Sequence, residues 1–283
     1  KFIVRSAKYA KKNWVTVFLV FLVLLFSLAF SYLYIKDYDD NPAIIDHSGK
    51  YILIKNKSGK VLWKKQFYIT TPPTNVYVGK QLERLIDLDG DGINEVLMTN
   101  QVEGAKDYGI LNLYDYKGRN IWKYKFKDSI STNVESFKPN YAISIAGVDT
   151  LKGEKILYLI ANQKPYFPAV IFRIKAKDAK RLPGTFWHPG RITTVLLNDV
   201  DNDGVKDLVC SATNNEWDSS VVFAMKKDSL YGRGPAIYKY VFPGKKLYEF
   251  NNTKIRHCSI SGNAISIYIV REFYIQRTEK FIF

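Results

Sequence analysis

The sequence predicts an all-β domain, a β-propeller of four-stranded blades, preceded by one transmembrane α-helix. Three observations carry that expectation. An uncharged apolar run lies near the N-terminus, short aromatic-rich segments cut by Gly, Asn, Asp and Pro fill the remainder, and some of these segments recur every 52 to 60 residues. The 20 Tyr and 17 Phe against 2 Cys and 2 Met favour strands over helices, because flat rings pack well on a pleated, half-buried surface. With 47% hydrophobic and 24% charged residues the chain is also too apolar for disorder.

The helix comes first. Residues 1–13 carry five cations (Lys1, Arg5, Lys8, Lys11, Lys12) and no acid, a basic cytoplasmic end. The 22 residues from Trp14 to Ile35 contain no charge. At about 1.5 Å per residue they cover about 33 Å, enough for a hydrocarbon layer of about 30 Å. Trp14 at one end and Tyr32 and Tyr34 at the other suit the interfacial belts, and Lys36 is followed by Asp37, Asp39 and Asp40. That charge asymmetry predicts a cytoplasmic N-terminus and a periplasmic or extracellular remainder. A cleaved signal peptide ending near Ser27-Leu-Ala29 is the competing expectation, but the apolar run continues through aromatics to Ile35, which favours an uncleaved anchor. Position 1 is Lys, which is compatible with a cytoplasmic domain upstream.

The net charge of +15 raises the question of nucleic acid. Five of those charges belong to the N-terminal end, and the other +10 is spread over 270 residues with no recognition-helix pattern, zinc-ligand spacing or basic run interleaved with aromatics. Nucleic acid is therefore not the expected partner of the outer domain.

After an acidic linker, residues 36–49, the repeats occupy residues 50–283. Ser58 to Phe67 matches Lys117 to Phe126, with Gly59 over Gly118, Trp63 over Trp122 and Phe67 over Phe126, each at an offset of 59. Tryptophans recurring at one blade position predict packing between blades. Asp87 to Met98 matches Asp199 to Cys210 at an offset of 112, about two periods, and a decayed copy at Gly147 to Leu157 keeps only Asp149 of its acids. Each unit then reads as an acidic turn, a buried strand (95–99, 155–160, 207–212), a second strand (110–114, 169–174, 220–225) and a third ending in aromatics. Short strands alone would also suit a β-sandwich, but their repetition selects a propeller. The 234 residues from 50 onward hold about four units, and the strand-like Glu279 to Phe283 ending predicts a ring that is incomplete as given.

The acidic turns carry the clearest chemistry. Asp87, Asp89, Asp91, Gly92 and Glu95 stand at positions 1, 3, 5, 6 and 9 of a tight loop, and Asp199, Asp201, Asp203, Gly204 and Asp207 repeat the spacing. Alternating acids in a curled loop bring several carboxylates to one point, where they repel unless a hard cation joins them. Gly at position 6 permits a sharp turn, so the carbonyl of position 7 (Ile93, Val205) can join the set. An EF-hand is excluded, because position 12 is Met98 or Cys210 and strand-like residues begin at position 9 or 10. This pattern resembles the calcium-binding FG-GAP (VCBS-type) repeats of integrin α-like propellers, although the Phe-Gly and Gly-Ala-Pro signatures are missing. The resemblance implies two structural Ca²⁺ sites, one held by Asp87, Asp89, Asp91, Ile93 and Glu95, the other by Asp199, Asp201, Asp203, Val205 and Asp207. An ion with all-protein ligands pins a loop and leaves no open position for substrate.

Nothing else points to catalysis. His47, His188 and His257 are far apart and read as loop or surface residues, and no nucleophile, phosphate or dinucleotide fingerprint is present. Cys210 and Cys258 read as buried in separate blades rather than bonded, and Arg173 to Arg181 as a solvated basic hairpin. The expected function is a membrane-anchored, non-enzymatic binding, adhesion or sensing module for a protein or glycan ligand. The alternatives are a cell-envelope propeller enzyme (quinoprotein-like, hydrolase or lyase) and the sensor half of a transmembrane regulator.

Overall fold

The computed structural model describes residues 13–35, 37–66, 82–101, 108–164, 167–248, 256–260 and 263–268. The five cations of the basic end, Phe67 of the first repeat and the ending Glu279 to Phe283 lie outside the described residues. Helix α1 (Trp14–Ile35) is apolar on all sides, and its large side chains from Trp14 to Leu33 are exposed. A helix that is hydrophobic all round is at home in lipid or in a protein core, and among the described residues none covers this one. It is long and apolar enough to cross a membrane, features that a signal sequence near the N-terminus shares.

The rest is antiparallel sheet, in chain order. Sheet one contains β1 (Ile44–Ser48), β2 (Tyr51–Lys55) and β3 (Val61–Gln66). Sheet two contains β4 (Glu83–Ile86), β5 (Glu95–Thr99), β6 (Ile110–Tyr114) and β7 (Asn120–Lys125). A ribbon of β8 (Ile130–Ser131) and β9 (Ser136–Phe137) leads to sheet three: β10 (Tyr141–Leu151), β11 (Glu154–Gln163), β12 (Ala169–Lys175) and β13 (Arg181–His188). Sheet four starts the same way with β14 (Ile192–Asn198), β15 (Asp207–Asn214) and β16 (Ser219–Lys226). Its next strand, β18 (Asn263–Tyr268), runs parallel to β16, with β17 (Arg256–Ile260) outside it. The buried strands expected around 95–99, 155–160 and 207–212 are β5, β11 and β15.

The four sheets stack face to face. Strand residues alternate between faces, so Val96 and Met98 of β5 pack with Ile52 and Ile54 of sheet one. Leu97 points the other way, into a cluster with Leu157, Leu159 and Ala161 of β11. The remaining face of β11, Ile156, Tyr158 and Ile160, packs with Leu208, Cys210 and Phe223 of sheet four. Sheets two and three are thus buried on both sides. That is why their inner strands read as unbroken apolar runs instead of alternating ones.

Of the repeated positions, Gly118, Trp63 and Trp122 make contacts between neighbouring sheets, whereas Gly59 has no neighbour within 4 Å. Gly118 lies in the β6–β7 turn with φ of 78°, and a Cβ there would stand 2.9 Å from the Trp63 ring of sheet one. The Nε1–H of Trp122 donates to the Ala176 carbonyl in sheet three at 2.9 Å. The outer strands β3 and β7 alternate exposed Lys64, Lys123 and Lys125 with partly buried aromatics. These three lysines of the diffuse positive charge lie on edge strands, where lysine discourages edge-to-edge pairing.

Four expectations change. The segment read as a linker, 36–49, contains β1, and its acids are bonded to the next turn: Asp37 accepts from Asn56 Nδ2 at 2.6 Å and from the Ser58 hydroxyl, and Lys60 pairs with Asp40 at 3.0 Å. Those hydrogen bonds lower the Asp37 pKa to about 2. His188 is buried in the core rather than on the surface, with Nδ1 3.1 Å from the Gly190 carbonyl and its ring stacked on Phe223 at 5.4 Å. Burial pushes its pKa down to about 4. Arg173 is buried between sheets, 3.1 Å from the Pro183 carbonyl and 3.5 Å from Asp228, while Lys177 and Lys180 of the same basic stretch stay in solvent. Cys210 and Cys258 belong to one sheet, on β15 and β17. The two strands are three positions apart, about 14 Å across the sheet, which is beyond disulfide reach.

Candidate metal centre

Both acidic loops occupy the same place in the architecture. Loop one joins β4 to β5 and loop two joins β14 to β15, so each links the first and second strands of its sheet. The ninth-position acids, Glu95 and Asp207, are the first residues of β5 and β15. The decayed copy at the equivalent place in sheet three is a two-residue hairpin of Lys152 and Gly153, both at positive φ, and Asp149 beside it pairs with Lys227 at 2.5 Å.

Each loop is curled by its own carboxylates. Asp87 accepts from the N–H groups of Gly90 at 2.6 Å and Gly92 at 3.2 Å, and Asp91 accepts from Ile93 N–H at 2.7 Å. In loop two Asp199 accepts from Asp203 at 3.2 Å and Gly204 at 2.8 Å, and Asp203 from Val205 at 2.8 Å. Such turns are the local habit of Asp, whose short side chain reaches the backbone two or more residues ahead. The result in loop one is convergence: oxygens of Asp87, Asp89 and Asp91 all lie within 4.8 Å of one another. In loop two the converging set is Asp199, Asp201 and Asp207. These two clusters could hold a metal ion.

The structure does not gather every expected ligand. Glu95 turns one oxygen to the Leu88 N–H at 2.9 Å. Its pKa is raised by burial first and then by the charges of Asp89 and Asp91. Ile93 and Val205 contribute N–H groups to Asp91 and Asp203. Asp203 stands outside the converging trio of loop two and turns to a lysine.

That lysine separates the loops. Lys226, at the end of β16 and directly opposite Asp207 in the pairing register, places its Nζ 3.0 Å from Asp201, 2.6 Å from Asp203 and 3.3 Å from Asp207. Partial burial disfavours its charge, but the hydrogen bonds to the three carboxylates outweigh that and raise its pKa. The carboxyl of Asp207 is nearly inaccessible, and burial raises its pKa against the opposing effect of Lys226. Among the described residues no Lys or Arg forms an ion pair with Asp87, Asp89 or Asp91. The ammonium of Lys155 reaches loop one but donates to the Asp87 carbonyl.

Loop one is braced instead by the segment that follows α1. Asn41 donates from Nδ2 to the Gly92 carbonyl and accepts from Asn94 N–H, both at 2.8 Å, and Asn94 Nδ2 donates to the Pro42 carbonyl at 2.8 Å. With Asp37 tied to Asn56 and Ser58, a short bonded path runs from the residues after α1 to the acidic loop. Asn41, Lys155 and Lys226 lie outside the sequence motif, and Asn94, the eighth residue of loop one and expected to face solvent, is instead bonded to Asn41 and Pro42. Only strand register and the fold of the chain end bring Asn41, Lys155 and Lys226 to the loops.

Comparison with known proteins adds no relative: no family model, no curated protein and no solved structure matches the chain.

Proposed function

We propose that this chain is a membrane-anchored module of the cell exterior or periplasm, a β-propeller-like stack of blades pinned by calcium, which binds a protein or glycan and catalyses nothing. The observation that carries it is the position of loop one. Three carboxylates converge with no Lys or Arg among the described residues paired to them, next to the segment that follows the apolar helix. Carboxylates held together in this way are the donor set of a hard divalent ion, and occupancy removes their mutual repulsion. Support for the bladed ring comes from four consecutive sheets packed face to face, with Trp63, Gly118 and Trp122 at the contacts. The bonds from Asn41 to loop one favour sensing over plain adhesion, since they tie the ion loop to the chain entering the membrane.

The test is thermal unfolding of the full chain in detergent micelles with calcium and with excess chelator. Calcium should raise the melting temperature, by mass action on a ligand of the folded state. Coincident curves from a demonstrably folded sample would remove the calcium assignment.

A further inference from the structure

We propose that Lys226 is the built-in cation of loop two, so that the chain takes up one divalent ion, at loop one, and not two. The proposal rests on loop one binding calcium and concerns how many ions the two loops admit. Three of the four loop-two aspartates already lie 2.6 to 3.3 Å from the Lys226 ammonium. The lysine is held there by the backbone, because β15 and β16 pair Asp207 with Lys226 across the sheet. Its neighbour Lys227 is buried and bonded to Asp149 at 2.5 Å, which fixes the strand end further. A divalent ion entering loop two must expel this ammonium into a space that three carboxylates made favourable for it, and the like charges repel during the exchange.

Loop one has the opposite arrangement at the matching place. Val96 pairs with Tyr114 in the last pair of that ladder, as Leu208 pairs with Met225 in sheet four, and the residue after Tyr114, at the place of Lys226, is Asp115. Asp115 is occupied elsewhere: it accepts from Arg119 Nε at 2.6 Å and from the N–H groups of Lys117 and Arg119 in its own turn. The strand position that delivers an ammonium to loop two therefore carries an acid at loop one. One substitution in the third strand of a sheet thus decides whether its acidic loop needs an ion from outside.

The experiment is a calorimetric titration of Ca²⁺ into the calcium-depleted full chain in micelles, using the natural protein, Asp89→Asn, Lys226→Met, Lys226→Gln and Lys226→Arg. Expected are one ion for the natural protein, at least tenfold weaker binding in Asp89→Asn, two ions when Lys226 is Met or Gln, and one when it is Arg. The Met and Gln variants are alternatives should either fail to fold. Two ions in the natural protein would overturn the role of Lys226 and leave the calcium assignment standing. So would one ion that survives Asp89→Asn, or one ion in a folded Met or Gln variant. No ion in any variant would overturn both.

Discussion

The front of the stack, with sheets one and two, and the back, with sheets three and four, solve the same electrostatic problem differently. Each carries a nine-residue acidic loop between its first and second strands. At the back, Lys226 neutralises the loop from within and the nearby core is dense, with Tyr158, Phe186, His188 and Phe223 all buried. At the front, no Lys or Arg among the described residues pairs with the converging carboxylates, and the loop is braced by Asn41 from the segment leaving the helix. A repeat can therefore keep its acidic spacing while the side chains around the loop change from one copy to the other.

The largest effect expected from a single substitution in this contrast is at Asp207. Its carboxyl is 1% exposed and faces Lys226, so Asp207→Ala leaves an ammonium beside a buried hole. Breaking a fully buried pair costs about 3–5 kcal/mol. Because Lys226 is one-third exposed, about 2 kcal/mol is expected, and denaturant midpoints should fall equally with calcium and with chelator. A loss clearly larger with calcium than with chelator would place an ion in loop two.

Acid sharpens the contrast next. The His188 pKa is lowered to about 4 from an ordinary 6.5 by burial, so the unfolded chain takes up a proton that the folded chain refuses. Stability from this group is complete above pH 6.5 and falls by about 1.4 kcal/mol per unit as the pH drops toward 4. Denaturant titrations across that range should show the slope, and His188→Phe should reduce it. The Asp37 clamp at the front behaves otherwise. Its pKa of about 2 lies below the ordinary carboxylate value, so its contribution is present above that ordinary value and disappears only as the pH falls through about 2.

The smallest effect belongs to Asn41→Ala. It removes two hydrogen bonds to loop one, a loss of about 1–2 kcal/mol. Calcium affinity should weaken severalfold through loss of loop order, while the effect of Asp207→Ala remains unchanged. An Asn41→Ala protein with natural affinity would disconnect the segment that follows α1 from the ion loop.

Local signals were legible in the sequence and relations between strands were not. The acidic loops, the strands that follow them and the Gly–Trp contacts could all be read, because each depends on residues close in sequence or repeated at a fixed offset. Lys226 could not, since nothing short of the β15–β16 register shows that it faces Asp207. His188 was misjudged by residue type, because a neutral imidazole in a tight core looks the same in sequence as an exposed one. Sheet four misled for a related reason: β18 enters it parallel after a long excursion, and no local pattern announces a strand arriving from elsewhere.

Hydrogen exchange resolved along the sequence, with and without calcium, tests the difference between the loops most directly. Calcium should slow exchange at the amides of residues 88–95 and leave those of 200–207 unchanged. Equal protection of both loops, or of neither, would contradict it.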